Sequence, residues 1–395
     1  FVLGITLRKA EYMRVVIIRS NPVKPDSRVE KAVEALIRTG NEVCVLAWDR
    51  QANYSVRKET LSLSSADTDI FRIGVRADYG GGIRQNWLPL VLIQLKFILW
   101  LLQNRRTYDV IHACDFDTAL VGFICGKLLK KQLVYDIFDY YVDSHRLPRL
   151  VAKVVEFLDH TIINAADAVI ICSEERREQI GRARPRRLVV IHNSPDARQK
   201  LRNEGDRRLE IAPSPRARIA YVGILSNSRL LKELVECVSQ RDDCELHIGG
   251  FGQLEPLIAE ASERFSNIYW YGRLPYHLTL QLEEQCDILT AIYDPSIPNH
   301  RYAAPNKFYE ALLLGKPLIV AEKTGIDTVV RRENIGVVIP YSREGIDRGI
   351  DLLLDRRNEW VSMQQRMKKL YQDRYSWCIM EKRLSKLYED IQLEQ

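Results

Sequence analysis

One unit recurs along this chain: a short, almost wholly apolar run, a loop, then a helical pattern. RVVIIRS (14–20) is followed by a stretch in which Val29, Ala32, Val33, Leu36 and Ile37 share a helix face. Gly40 ends that helix, and NEVCVLA begins the next strand. DVIHA (109–113), QLVYDI (132–137), DAVIICS (167–173) and RLVVIH (187–192) continue the series. Strands apolar on both faces must be covered on both, and alternation with helices gives a doubly wound parallel sheet. Over 193–218 the pattern dissolves into polar residues and three prolines. It restarts with IAYVGI (219–224), CELHIGG (244–250), NIYWYG (267–272), CDILTAIYD (286–294), KPLIVAE (316–322) and GVVIP (336–340). A chain of 395 residues with two such halves is expected to form two α/β domains, 13–195 and 217–375, joined by a linker at 196–216.

The composition, 46% hydrophobic and 28% charged, is that of a globular protein. Eight scattered cysteines show no C-x-x-C pair or metal-ligand spacing. They read as free thiols of a reducing compartment, so the expected location is cytoplasmic. No signal peptide is visible, and MRVVIIRSNP from Met13 looks like a natural start, so residues 1–12 read as an extension outside the fold.

The net charge of +6 is unevenly placed. Between Arg176 and Arg218 stand 13 Lys/Arg against 5 Asp/Glu, a local +8, which leaves −2 for the rest. Nothing else suggests nucleic acid. The run RREQIGRARPRR, with Arg176, Arg177, Arg182, Arg184, Arg186 and Arg187, suits an anionic membrane face. WLPLVLIQLKFILWLLQ (87–103) falls short of the ~20 residues a spanning helix needs, and Lys96 interrupts it. Leu88, Val91, Leu92, Leu95, Leu99 and Leu102 make the stripe expected to pack on the core. Ile93, Phe97 and Trp100 make a second. A helix apolar nearly all round is either deeply buried, the reading favoured here, or touches lipid or a partner, and this second stripe is the one that would meet lipid at an anionic surface.

APNKFYEALLLGKPLIV (303–319) holds a helix start with a puzzle in it. Pro305 suits the first helical position, but Ala304 before it has no side-chain oxygen to cap the first-turn N–H groups. Asn306, Lys307 and Glu310 share a face near this open, positively polarised end. Two readings stay open: an anion site, or an end capped by water or a distant loop.

Several stretches carry a family resemblance. YVGILSNSRLLKELVECV, LHIGGFG, YWYGRLP, CDILTAIYDP and PNKFYEALLLGKPLIV, in that order, resemble the donor-binding half of family 4 glycosyltransferases, which have the GT-B fold. SRVEKAVEALIRTGNEVCVLA, YDVIHACDFDTAL, VYDIFDYY and NAADAVIICSEE resemble that family's acceptor half. YSWCIMEKRLSKLYEDI resembles its closing helix, which implies that 376–395 returns to the first domain. The implied fold is two Rossmann-like domains facing across a cleft. The implied activity is transfer of a sugar, with retention, from a nucleoside diphosphate sugar to an acceptor hydroxyl. A UDP-sugar is favoured over a GDP-sugar, with no metal and no cofactor, and the setting would be glycan, glycolipid or surface polysaccharide synthesis. A lipid-linked acceptor at the cytoplasmic membrane face would account for the basic run.

The resemblance also implies roles. Leaving-group charge on the diphosphate calls for fixed cations, here Arg229 and Lys307. Glu310 would accept from the ribose diol and Arg273 would lie by the base. Gly223, Gly250, Asn306 and Phe308 complete the donor-side set. Asp115 and Asp139 would orient or deprotonate the acceptor, with His112 and Tyr140 beside them. The bland alternatives are a strand-end structural role for His112 and a surface pair of Glu310 with Lys307. Asp115 and Asp117 spell D-x-D, a metal motif of another glycosyltransferase fold, which is discounted here. The chain departs from the family pattern at Tyr302, where a first Glu is usual, at Ile224, where a cation is common, and at Cys114, where many members carry His. The competing functions are a catalytically silent nucleotide-sugar-binding subunit and a sugar-nucleotide 2-epimerase.

Overall fold

The computed structural model describes residues 12–78, 82–145, 147–200 and 209–394. Most of the expected extension (1–11 of 1–12) and part of the expected linker (201–208) lie outside the described residues. The chain forms two compact units. One runs to Ile191 and takes in the segment from Glu381; the other is His192–Met380.

The first unit is built on an eight-stranded sheet: β1 (Arg14–Arg19), β2 (Glu42–Asp49), β3 (Tyr54–Ser62), β4 (Asp67–Gly74), β5 (Val110–Cys114), β6 (Gln132–Ile137), β7 (Ala168–Ile171) and β8 (Leu188–Val190). Their order is β3-β4-β2-β1-β5-β6-β7-β8. All pairings are parallel except β3 with β4. The most apolar runs, β1, β5 and β6, lie centrally because both their faces are covered. The order reverses beside β1, so the loops after β1 and β5 flank a crevice position. The β3–β4 pair carries no apolar run. YSVRKETLS is a solvent-facing edge strand, which is why the sequence pattern does not announce it.

The second unit carries six parallel strands: β9 (Ala217–Ile224), β10 (Cys244–Phe251), β11 (Ile268–Trp270), β12 (Ile288–Ala291), β13 (Leu318–Ala321) and β14 (Gly336–Ile339). Their order, β11-β10-β9-β12-β13-β14, reverses between β9 and β12. Apolar clusters fill both faces, one around Ile219, Leu246 and Ile350, the other around Leu289, Phe308 and Val320.

The closing helix, Trp377–Gln392, is tied to the first sheet by polar contacts. Tyr388 Oη lies 2.8 Å from His112 Nδ1, and Gln132 Nε2 donates to Ile391 O at 3.0 Å.

Two expectations about lipid contact are corrected. In the helix Gly82–Gln103 the two stripes exchange roles. Ile93, Phe97, Trp100 and Leu101 are buried, whereas Leu88, Val91, Leu92, Leu95 and Leu99 are exposed. Hydropathy cannot tell one apolar stripe from another; the sheet beneath does. Trp100 lies 5.0 Å from the Phe71 ring, and Lys96 on that side donates to Tyr54 O and Gly74 O at the sheet end. The arginine run is not one surface patch either. Arg176 turns inward onto Cys172, Gln179 and Asp139, while Arg186 and Arg187 pair with Glu394. Arg177, Arg182 and Arg184 remain at the surface.

Candidate functional site

In the second unit the helix of the opening puzzle begins one residue later than expected. Pro305 is its N-cap, the helix is Asn306–Leu314, and no side chain caps it. Gly315, with φ +70°, closes it in the left-handed conformation. The Oδ1 of Asn306 is buried with no hydrogen-bond partner.

Lys307 is buried, 9% exposed, on the first turn of this helix. Its Nζ lies 4.7 Å from the Tyr221 ring centroid and makes no hydrogen bond or ion pair among the described residues. Burial pulls the ammonium down, but Tyr221, Tyr293, Glu310 and Glu283 outweigh this and hold it above the ordinary lysine value. Gly223 makes the room: a Cβ there would stand 2.5 Å from Nζ. Gly223 and Gly250 are register partners at the carboxyl ends of β9 and β10. A Cβ on Gly250 would fall 1.8 Å from Gly223 O, and both have positive φ, so only glycine fits this approach.

Arg229 follows β9 on the turn Asn227–Arg229. Its guanidinium stacks 3.8 Å from the Tyr293 ring centroid and donates to Ser228 O and Oγ and to His300 Nε2, at 3.1, 3.1 and 3.2 Å. His300 Nδ1 lies 3.0 Å from Asp294 O. A carbonyl only accepts, so the ring proton sits on Nδ1 and Nε2 receives Arg229. Arg229 and Lys307 meet around Tyr221, whose phenol is raised first by burial and drawn back by both cations.

Glu310 is 3% exposed, so the surface pair with Lys307 is excluded. It shares its interior with two groups the sequence reading missed, Tyr276 and Glu283, on the helix Tyr276–Gln285. Burial, then the Glu310 charge to which it hydrogen-bonds, pushes the Tyr276 phenol well up. Burial and then Glu310 likewise push the Glu283 carboxyl well above its usual range, against Lys307. No sequence signal marks Glu283, which stands in LEEQ like a solvated acid. Arg273 is exposed, 4.6 Å from the Phe251 ring centroid, and Phe308 packs inward against Tyr309 and Tyr375. A buried cation beside an uncapped helix start at the strand ends is an arrangement able to receive an anion, and Asn306 Oδ1 next to it is an unpartnered acceptor.

In the first unit the acceptor-side residues are held differently. Asp115 opens the helix Asp115–Leu129 with φ +68°, a strained conformation for a non-glycine residue. One carboxylate oxygen receives the N–H groups of Phe138 and Asp139 at 2.9 and 3.1 Å, and the other receives Arg19. Burial pushes its carboxyl up to about 6, with Arg19 opposing. Asp139 is the exposed carboxylate here, paired with buried Arg176 at 3.1 Å. Tyr140 points into the core, its Oη 3.2 Å from His160 Nε2. His112 is 1% exposed between Tyr388 and Asp136, which itself holds Arg28 at 2.7 Å, so its place is structural.

Solved structures of low sequence identity share the whole architecture. Sucrose-phosphate synthase from Thermosynechococcus elongatus superposes with a TM-score of 0.72 at 16% identity, covering 97% of this chain and all (100%) of that one. HepE of Anabaena, crystallised in complex with UDP-glucose, gives 0.67 at 15% identity, with 96% and 100% covered. A trehalose-6-phosphate synthase studied for glycosyl transfer with retention gives 0.69 at 9%, with 96% and 99% covered. The fold is therefore GT-B, two Rossmann-like units in one chain. Residues 25–194, somewhat less than half of the chain, match the family model described as glycosyl transferase 4-like domain. All but the last three residues of that match lie in the first unit; for the second, the likeness is one of fold. No curated protein sequence matches the chain.

Proposed function

We propose that the protein transfers a hexosyl group from a nucleoside diphosphate sugar, a UDP-sugar before a GDP-sugar, to an acceptor hydroxyl with retention and without a metal. The observation that carries this is Lys307: a buried ammonium, with no acid paired to it among the described residues, beside an uncapped helix start. With no acid among those residues bonded to it, its donors are open to an anionic ligand. The second phosphate of a departing UDP is such an anion, and Arg229, the other cation acting on Tyr221, could share its charge. Asn306 Oδ1 offers an acceptor to a sugar or ribose hydroxyl.

Glu310 suits the ribose role as a buried carboxylate whose charge, after burial, pushes the neighbouring Glu283 carboxyl well above its usual range. The ribose diol would take the place of the Tyr276 phenol. Tyr302 lies on the 3-10 turn Pro298–Tyr302 just before the helix start, where it would face the sugar rather than a carboxylate. The bound UDP-glucose of HepE and the retention studied in trehalose-6-phosphate synthase favour this donor and outcome. The acceptor class we favour is a lipid-linked glycan at the cytoplasmic membrane face.

Incubation of the pure protein with labelled UDP- and GDP-sugars tests the reading. Slow release of labelled sugar and UDP, insensitive to EDTA, is expected. Binding without turnover would mean a silent subunit, and an epimerised donor a 2-epimerase.

A further inference from the structure

We propose that the first unit docks onto an anionic phospholipid surface through three neighbouring helices, Gly82–Gln103, Asp115–Leu129 and Arg149–Ala165. This goes beyond the donor reading and does not depend on it. The helix Asp115–Leu129 packs against both of the others, so their outer faces lie side by side.

The first helix exposes Trp87, Leu88, Val91, Leu92, Leu95 and Leu99. The middle one exposes Ile124 and Leu128, spaced four apart, and the third exposes Leu150, Val154 and Phe157, at 80%, 59% and 71%. Each set follows a helical repeat, so each is a stripe rather than scattered residues. Folded monomers rarely expose this much large apolar side chain in one place; where they do, it marks a protein or membrane contact.

Charge selects the membrane. The chain from 82 to 108 contains no Asp or Glu, and Arg105 and Arg106 follow its helix in the next turn. Lys127 and Lys130 close the middle stripe, and Arg149 and Lys153 flank the third. All six are exposed, against Glu156 as the exposed acid on the third helix. An apolar strip rimmed by cations is the pattern that lies in a headgroup interface, its apolar groups among the acyl chains and its cations at lipid phosphates. The window Asn86–Gln103 has a mean hydropathy of 1.4 and is 28% buried. It cannot leave the protein to span a bilayer, because Ile93, Phe97, Trp100 and Leu101 are locked under the sheet. It therefore lies in the plane of the surface.

Flotation of the full chain with phosphatidylcholine/phosphatidylglycerol vesicles tests this. The wild type is expected to float with them, less so in high salt, and weakly with phosphatidylcholine alone. The combined variant L95S/L150S/F157S should lower the partition at least ~10-fold while melting like the wild type, since all three side chains are exposed. The variant K127E/K130E/K153E should lose binding at low salt and differ little from wild type at high salt. A wild type that does not float, or an apolar variant that floats unchanged, overturns the proposal. So does a wild-type dimer that the apolar variant turns into a monomer, which would give the face to a second copy of the chain.

Discussion

Both units bury cations beside carboxylates, yet they handle them in opposite ways. In the first unit Arg19 pairs with Asp26 and Asp115, Arg28 with Asp136, and Arg176 with Asp139. Phe138 lies under both Arg19 and Arg28, at 4.4 and 4.7 Å from its centroid. In the second unit Lys307 is as deeply placed, but no acid comes within ion-pair distance of it among the described residues. A buried charge that the protein itself neutralises is architecture. One that it leaves with donors to spare is a place for a ligand.

The largest effect expected from this contrast is on stability. Asp136→Ala removes the partner of Arg28 and a neighbour of His112, leaving a buried charge uncompensated. It should cost about 3–5 kcal/mol. Urea unfolding of wild type and variant measures it; a loss under about 1 kcal/mol would mean the network is not structural.

A smaller effect, with a definite sign, belongs to Glu283. Its folded carboxyl lies above the ordinary value of 4.5, so above that pH the unfolded chain loses a proton that the folded one keeps. Stability therefore falls as pH rises from there until Glu283 ionises in the fold, by up to ~1.4 kcal/mol per pH unit. Glu283→Gln should remove that slope and gain on wild type as pH rises. Parallel melting curves for the two proteins across pH 5–8, a window of about three units, would contradict it.

Much of the fold was legible because parallel strands buried on both faces spell themselves as apolar runs. The parts that were not legible are those decided by neighbours. The edge strand Tyr54–Ser62 has no apolar run because one side of it meets water. The helix at 82–103 has two apolar stripes, and the position of Phe71 chose the one that packs. Arg176 read as surface charge until a short turn set it against Cys172 and Gln179. At the candidate site, Lys307, Arg229 and the glycine pair were named from local pattern and resemblance. Glu283 and Tyr276 were not, since only the packing of their helix beside Glu310 makes them chemically unusual.

The central claim is that Lys307 awaits a diphosphate rather than a protein partner. Calorimetric titration of UDP into wild type and Lys307→Met, with melting curves for both, tests it most directly. Loss of charge-assisted hydrogen bonds, each worth ~1.5–3 kcal/mol, predicts UDP affinity lower by at least about 10-fold. The variant should stay folded, because methionine fills the same space. UDP bound as tightly by a folded Lys307→Met as by the wild type would contradict the claim.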